Sequence, residues 1–253
     1  MTPLVDVRDL RVRYGTYEAV KGVSFTLGRG EILGIVGESG SGKSTIAKTL
    51  IGLQKASGGT VTNRARSTQM IFQDAVGSLN PRMTVRQTLA EAVAHARDGR
   101  AQKDARDGKG ADMERLLSLV GLSAAVLEQY PREMSGGQCQ RVSIARALAC
   151  RPEVLIADEP VSALDVSVQA RVLNLLRDLR RDLGLSILLI AHDLAVVKNV
   201  CDRICVMAHG AFVDAGAAEQ VFTQPASDYT RRLLAAIPDV ERALRRAAGD
   251  ARM

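Results

Sequence analysis

Two hydrophobic patterns alternate along the chain: short unbroken apolar runs, and longer stretches in which apolar residues recur every three or four positions. An unbroken run of strand length predicts a strand buried on both faces, and the helical spacing predicts a helix with one buried face. The clearest runs are Glu31–Val36, Val154–Ala157 and Leu185–Ala191, and the clearest helix is Val166–Leu183. Strands that alternate with helices predict an α/β fold with a largely parallel core.

Weaker patterns complete the predicted elements. Further strands are expected at Pro3–Arg13, Ala19–Leu27, Thr60–Thr62, Ser67–Phe72, Arg203–Met207 and Phe212–Ala215. Further helices are expected at Ser44–Leu53, Leu89–Ala96, Met113–Val120, Gln138–Cys150, Asp193–Val200, Ser227–Ile237 and Val240–Ala247. Early antiparallel strands beside the strand Glu31–Val36 predict a mixed sheet. The polar, glycine-bearing stretch Arg97–Gly110 predicts a mobile surface loop.

A glycine-rich stretch, GESGSGKST at Gly37–Thr45, lies between the first buried strand and a predicted helix. It fits G-x-x-x-x-G-K-[ST], the P-loop pattern, whose backbone N–H groups and helix N-terminus bind phosphate. Lys43 is expected to reach the β- and γ-phosphates, and the Ser44 hydroxyl to ligate Mg²⁺. The residues predicted to bind nucleotide are Gly37, Glu38, Ser39, Gly40, Ser41, Gly42, Lys43, Ser44 and Thr45.

Two acids end a later apolar run: Asp158 and Glu159 follow Val154–Ala157 and precede a proline. A strand that ends in acids downstream of a P-loop predicts a Walker B element. Asp158 is expected to hold Mg²⁺, and Glu159 to polarise the water that attacks the γ-phosphate. Together with Lys43 and Ser44, they predict a nucleoside triphosphatase.

The composition restricts the cellular location and the partners of the protein but does not indicate its function. The chain has 253 residues and a net charge of +6, and none of its apolar runs is long enough to span a membrane. We expect a cytoplasmic protein, with Cys139, Cys150, Cys201 and Cys205 as free thiols. Aromatic residues make up only 3% of the chain, so we expect no nucleic-acid partner.

The segment MSGGQCQR, Met134–Arg141, resembles the signature motif of the ATP-binding cassette (ABC) ATPases. Other motifs of that family follow in its order: Gln73 in MIFQD resembles the Q-loop glutamine, SALD at Ser162–Asp165 the D-loop, and His192 in IAHDL the switch histidine. Tyr14 is placed like the aromatic residue that stacks on adenine, and Tyr17 competes for that role.

The resemblance implies a role for each motif. Ser135, Gly136 and Gly137 would bind the γ-phosphate of a nucleotide held by a second cassette, and a glycine pair at a helix start is a suitable anion site. The implied catalytic residues are Lys43, Gln73, Glu159 and His192. The implied metal ligands are Ser44, Gln73 and Asp158. Beyond the P-loop, the implied ATP-binding residues are Tyr14, Ser135, Gly136, Gly137, Gln138 and Asp165.

The resemblance also implies the domain organisation. We expect a P-loop NTPase fold, in the form of a single ABC ATPase domain over residues 1–253, with a mixed β-sheet core and an inserted helical subdomain. The catalytic core, which includes an antiparallel β part, would comprise residues 1–73 and 151–253. The helical subdomain with the signature motif would comprise residues 74–150, and a helical tail residues 225–253.

Three segments resemble the ATPases of peptide, nickel and metallophore importers: Gln73–Val85, Ser162–Leu176 and Ser227–Asp239. This resemblance implies an ATP-hydrolysing, energy-coupling subunit at the cytoplasmic face of the membrane. Its partners would be a second ABC ATPase, identical or related, two integral membrane permeases and, indirectly, an extracytoplasmic substrate-binding protein. The alternatives are an ABC exporter ATPase, a soluble ABC ATPase of a non-transport complex, and a non-hydrolysing accessory subunit.

Overall fold

The computed structural model describes residues 2–98, 109–162 and 164–237. The strands are β1 Val5–Tyr14, β2 Tyr17–Leu27, β3 Ile32–Val36, β4 Gly58–Asn63, β5 Thr68–Ile71, β6 Val154–Asp158, β7 Ser186–Ala191, β8 Arg203–Ala208 and β9 Ala211–Ala217. The helices are α1 Lys43–Leu50, α2 Val85–Asp98, α3 Lys109–Leu119, α4 Gly136–Ala149, α5 Val166–Leu183, α6 Leu194–Val197, α7 Ala218–Thr223 and α8 Asp228–Ala235. Two 3₁₀ helices, Ala124–Glu128 and Pro131–Glu133, precede α4.

Six strands form the central sheet, in the order β5-β6-β7-β3-β8-β9. All neighbours pair in parallel except β8 and β9, which are antiparallel. Every residue of β3, β6 and β7 is buried, because apolar layers cover both faces of the sheet. Because β3, β7 and β6 are parallel, the carboxyl ends of β3 and β6 lie at the same edge of the sheet. At that edge β3 leads into the P-loop, and β6 ends at Asp158 with Glu159 directly after it.

The antiparallel strands β1, β2 and β4 form a separate three-stranded sheet, in the order β2-β1-β4. The sequence predicted them as part of one mixed sheet, and that placement is wrong. Buried residues such as Val5 and Val7 alternate with partly or fully exposed ones along β1, so this sheet packs one face on the core and exposes the other. The central sheet is mixed for a different reason, the antiparallel edge strand β9.

The helices α2, α3 and α4 have no separate core within the described residues. Leu89, Leu117 and Val142, one from each helix, belong to the same apolar cluster as Ile187 and Leu189 of β7. The opposite face of the central sheet belongs to a second cluster, which joins it to α1 and to the three-stranded sheet. The central sheet thus holds the P-loop on one side and the signature helix α4 on the other in a continuous structure.

Most predicted elements are present, and the differences lie at short or polar segments. The bounds of α5 match the prediction, whereas α6 spans only Leu194–Val197 and α7 was not predicted. Both are too short for helical periodicity to define them. The stretch predicted as a surface loop is helical at its ends, since α2 runs to Asp98 and α3 starts at Lys109. The helix predicted at Val240–Ala247 lies outside the described residues.

None of the helices in the described ranges combines the length and the apolar character that a membrane span requires. This agrees with the absence of a long apolar run in the sequence.

Candidate active site

The P-loop connects β3 to α1 and is held in shape by its neighbours. Gly42 has φ 108°, a conformation that favours glycine, and a Cβ at this position would lie 2.4 Å from the carbonyl oxygen of Ala19. A Cβ on Gly37 would lie 2.0 Å from the carbonyl oxygen of Met207. The backbone N–H of Gly210 donates to the Ser41 carbonyl at 3.0 Å. Gly37 and Gly42 are therefore required by close backbone approach.

Lys43 begins α1, and its side chain is folded back beneath the P-loop. Only 3% of it is exposed, and Nζ donates to the carbonyl oxygens of Gly37 at 2.7 Å and Glu38 at 2.8 Å. Burial lowers the pKa of Lys43 from its usual value, while the carboxylates of Glu159 and Asp158 act in the opposite direction. The ammonium group is thus held at the site by backbone carbonyls, with negative charge nearby.

Ser44 and Asp158 meet between α1 and the end of β6. The Ser44 hydroxyl donates to Asp158 Oδ1 at 3.0 Å, and Asp158 is buried. Burial is the main cause of a raised pKa at Asp158. A hydroxyl and a carboxylate are the oxygen ligands that Mg²⁺ prefers, and this cation usually keeps several waters in addition to a few protein ligands. The pair fits a magnesium ion bound together with nucleotide phosphates.

Three polar side chains converge on the carboxylate of Glu159. Gln73 Nε2 donates to Glu159 Oε2 at 3.2 Å, and His192 Nδ1 lies 3.2 Å from the same oxygen. Lys43 Nζ lies 4.0 Å from the other oxygen, Oε1. Lys43 begins α1 after β3, and Gln73, Glu159 and His192 follow β5, β6 and β7. The parallel sheet thus brings together groups that are far apart in sequence. The predicted catalytic residues Lys43, Gln73, Glu159 and His192 are therefore neighbours.

The backbone of Glu159 is unusual for a residue with a side chain, since its φ is 46°. Its N–H donates to the Ile190 carbonyl at 2.9 Å, and its carbonyl accepts from the N–H and the hydroxyl of Ser162 at 3.3 and 3.2 Å. Such backbone strain persists only where the surroundings hold it, and it often marks functional positions. These contacts fix the direction in which the Glu159 carboxylate points.

The signature residues lie at the start of α4, where their polar groups serve the helix itself. Ser135 is the N-cap: its Oγ accepts from the Gln138 N–H at 3.3 Å, and its N–H donates to Gln138 Oε1 at 2.9 Å. Ser135 and Gly136 are exposed and Gly137 is buried. Within the described ranges, no hydrogen bond joins Ser135–Gly137 to the P-loop.

Two further predicted sites lie apart from Glu159. Tyr14 and Tyr17 face each other across the β1–β2 hairpin and are 45% and 60% exposed, so both remain available to stack on a base. Asp165 is the N-cap of α5, where its Oδ1 accepts from the Val168 N–H at 3.0 Å and from the Ser167 hydroxyl at 2.8 Å. Its carboxylate is thus engaged within its own chain.

One contact of the P-loop was not predicted from the sequence. The backbone N–H of Glu38 donates to the hydroxyl of Tyr229, in the first turn of α8, at 3.3 Å. The two residues are 191 positions apart, and neither a motif nor a periodic pattern links them.

A family model described as ABC transporter matches residues 20–162, which is more than half of the chain. The chain belongs to the ABC transporter family. Among its relatives is the oligopeptide transport ATP-binding protein OppF of Salmonella typhimurium, which is 44% identical over an alignment that covers 94% of this chain and 80% of that protein. The OppF of Bacillus subtilis is 43% identical over 93% of this chain and 82% of its own length.

Solved structures of ABC cassettes show the same fold. CbiO1 of Clostridium perfringens, part of the transporter complex CbiONQ, has a TM-score of 0.79 and 26% identity over 97% of this chain and 100% of its own. The cassette MJ0796, a dimer bound to ADP and phosphate, has a TM-score of 0.73 and 26% identity over 85% and 98%. The predicted family, the P-loop α/β fold and ATP hydrolysis are confirmed.

Proposed function

We propose that this ABC ATPase is the energy-coupling subunit of an importer for oligopeptides. The observation that carries the proposal is the convergence of Lys43, Gln73 and His192 on the Glu159 carboxylate beside the Ser44–Asp158 pair. The names of relatives at 41–44% identity support oligopeptides over the nickel and metallophore cargoes that the sequence left open. The same names favour a transporter over the soluble alternatives, and the resemblance of Gln73–Val85, Ser162–Leu176 and Ser227–Asp239 to importer ATPases supports import over export.

Each residue near Glu159 has a distinct part in hydrolysis. Glu159 accepts a proton from the attacking water, and the oriented carboxylate needs no rearrangement of its backbone to do so. Lys43 Nζ keeps two of its three donors on the carbonyls of Gly37 and Glu38 and directs the third toward the β- and γ-phosphates, whose charge compensates its burial. His192 and Gln73 both contact Glu159 Oε2, from where His192 would reach the γ-phosphate and Gln73 the attacking water when the nucleotide binds.

Ser44 and Asp158 would hold Mg²⁺ in this proposal, with Gln73 as a further ligand. The ion neutralises charge that develops on the phosphate oxygens. Asp158 would then gain a divalent positive neighbour in addition to Lys43 and Lys48, which favours its ionised form. The adenine stacks on Tyr14 or Tyr17 at the β1–β2 hairpin, and the P-loop N–H groups bind the phosphates.

A second cassette completes the site. The start of α4, formed by Ser135–Gly137 and Gln138, binds the γ-phosphate of a nucleotide on the partner's P-loop, because a helix N-terminus favours an anion. Asp165 positions its loop against the same partner. Closure of the dimer on two ATP molecules, and its opening after hydrolysis, would provide the conformational cycle.

The membrane partners would contact the loop after β5. Gln73 continues into the turn 74–80, where Asp74 accepts from the Gly77 N–H at 2.8 Å and Arg146 of α4 donates to the Ser78 carbonyl at 2.7 Å. Hollows of about 370 and 440 Å³ flank this turn, and the exposed Val76 lines the first of them. A helix of a permease placed here would link Gln73 to the membrane from the cytoplasmic face.

ATP-driven uptake by the complete transporter tests this proposal. The chain is purified together with its membrane partners, and the partners are identified. Uptake of labelled oligopeptide and of labelled nickel is then measured in reconstituted vesicles. The expected result is two permease proteins and peptide uptake that requires ATP and is lost in Lys43→Ala. Nickel uptake without peptide uptake would exclude oligopeptides as the cargo. Co-purification with soluble enzymes alone would exclude the role of this chain in an importer.

A further inference from the structure

The peptide unit between Gly37 and Glu38 is held from both of its polar ends. Its carbonyl oxygen, on Gly37, accepts from Lys43 Nζ at 2.7 Å, and its N–H, on Glu38, donates to the Tyr229 hydroxyl at 3.3 Å. A trans peptide unit is planar, so the two groups point in opposite directions and turn together. Rotation that moves the carbonyl away from Lys43 therefore also breaks the bond to Tyr229.

The element that carries Tyr229 is firmly anchored to the core. The N-cap Ser227 accepts from the Thr230 N–H at 3.0 Å, and Thr230 is fully buried. Asp214 of β9 accepts from the N–H groups of Ala226 and Ser227 at 2.8 and 3.3 Å. The Tyr229 hydroxyl is thus presented to the P-loop from a fixed position, although it lies at the far end of the chain.

We propose that Tyr229 is a positioning residue for ATP binding: its hydroxyl orients the Gly37–Glu38 peptide and, through it, the ammonium group of Lys43. The first turn of α8 is then part of the nucleotide site. Burial raises the pKa of Tyr229, with a smaller contribution from the Glu38 carboxylate, so the hydroxyl keeps its proton while it accepts from the N–H. The inference rests on the proposed role of Lys43 in phosphate binding.

Tyr229→Phe tests the inference because it removes the hydroxyl and keeps the ring. Without its acceptor, the Glu38 amide loses one restraint, and the carbonyl is less well fixed against Lys43. A net hydrogen bond of about 1 kcal/mol corresponds to about fivefold in an equilibrium constant. We expect the variant to bind ATP about fivefold more weakly and to exchange the Glu38 amide hydrogen faster.

The two measurements are titration of the purified chain with a fluorescent ATP analogue and amide hydrogen exchange of the nucleotide-free protein. Thr223→Val is the matched control: it removes an exposed hydroxyl from the same C-terminal region, bonded to the Glu219 carbonyl at 2.8 Å and distant in sequence from Glu38. It should leave both ATP affinity and Glu38 exchange at the wild-type level.

Three results would overturn the inference. The first is an ATP affinity of Tyr229→Phe within twofold of the wild type, and the second is an equal loss of ATP affinity in Thr223→Val. The third is weaker ATP binding that is accompanied by faster amide exchange throughout α8 and by melting of that helix. The last result would mean that the hydroxyl only stabilises the helix. Lys43→Ala separates this question from the proposed function: normal ATP binding in that variant would refute the phosphate site itself, whatever Tyr229→Phe shows.

Discussion

The surroundings of Glu159 and those of Ser135 use their polar groups in opposite ways. Around Glu159, side chains from distant parts of the chain converge: Gln73 and His192 on one oxygen and Lys43 near the other. Around Ser135, the hydroxyl and N–H are satisfied by Gln138, three positions away. The first region is organised by tertiary contacts, whereas the second is organised by one helix start.

This difference indicates how the work of the site is divided. The Glu159 region contains a buried cation, a buried carboxylate and strained backbone, which are features that cost stability and are kept for chemistry. The Ser135 region is an exposed helix N-terminus whose capping bonds lie within the helix start itself, and a helix N-terminus is a suitable site for an anion from outside. In the proposed dimer, one chain would build the hydrolytic machinery and a second chain would supply the closing surface.

The largest effect is expected at the centre of the first region. Glu159→Gln removes the proton acceptor while keeping the shape of the side chain, so ATP hydrolysis should fall by about 10²- to 10⁴-fold with ATP binding intact. Steady-state phosphate release and nucleotide titration measure the two properties. Glu219→Gln, an exposed change on α7, is the control that should hydrolyse normally. Undiminished hydrolysis in Glu159→Gln would assign the base elsewhere.

The second prediction tests whether the two regions act on the same nucleotide from different chains. Lys43→Ala should inactivate the P-loop side, and Ser135→Arg should block the signature side by placing a bulky cation at the helix start. Each homodimer has two broken sites and should be inactive. A mixture forms heterodimers in which one site joins an intact Lys43 to an intact Ser135.

Mixing the two inactive variants should therefore restore part of the wild-type hydrolysis rate. The control is a mixture of Lys43→Ala with Glu159→Gln, whose substitutions both affect the P-loop side, so neither heterodimer site becomes complete. Recovery in the first mixture alone supports a site shared between chains. Absence of recovery, with mixed dimers demonstrated, would mean that Ser135–Gly137 serves its own P-loop.

The same two regions show what a sequence can predict. The P-loop, the acids after β6 and the start of α4 are defined by local residue types, and the structure places the first two together as expected. The long amphipathic helix α5 was predicted with its observed bounds because its periodicity extends over many turns. Even the Ser135 capping box is local enough to be inferred from the S-x-x-Q spacing.

What the sequence did not predict depends on contacts between distant residues. The pattern of β1, β2 and β4 shows which residues are buried but not which strands pair, so it does not distinguish a separate sheet from added strands of the central one. The bond from Glu38 to Tyr229 joins residues 191 positions apart and depends on how β9 and α8 fold back. The shared contact of Gln73 and His192 with one oxygen of Glu159 likewise could not be predicted from sequence order.

A third prediction measures what the Glu159 region costs the fold. Asp158 is buried, and burial raises its pKa, so its ionised form is disfavoured in the folded protein without nucleotide and Mg²⁺. Asp158→Asn removes that charge and keeps an oxygen that can accept from Ser44. It should raise the melting temperature at pH 7.5 by a few degrees, since about 1 kcal/mol shifts a domain of this size by about 2–4 °C.

Asp178→Asn on the exposed side of α5 is the control, with an expected change within about 0.5 kcal/mol. Thermal unfolding followed by circular dichroism gives both values. A lower melting temperature in Asp158→Asn would show that the carboxylate stabilises the nucleotide-free site, so that its burial costs the fold no stability. Loss of Mg²⁺-dependent hydrolysis in the more stable variant would show that this stability is exchanged for activity.

The smallest effect on stability is expected at Asp165, the N-cap of α5, whose carboxylate is hydrogen-bonded to neighbouring residues of the same helix start. The Val168 N–H and the Ser167 hydroxyl hold the pKa of Asp165 below its usual value. A carboxyl whose pKa is lower in the folded state stabilises the fold above the unfolded pKa of about 3.9, and this contribution is lost as the pH falls through the folded pKa. The stabilisation is therefore present at neutral pH and absent in strong acid.

Asp165→Asn isolates the charge because asparagine caps a helix about as well as aspartate, whereas Asp165→Ala removes the cap as well. We expect a small decrease in melting temperature for Asp165→Asn at pH 7 that vanishes in acid below the folded pKa, and a larger decrease for Asp165→Ala that persists in part. Unfolding curves across this pH range make the distinction. A decrease in Asp165→Asn that does not change with pH would mean that the ionised carboxylate is not what stabilises the start of α5.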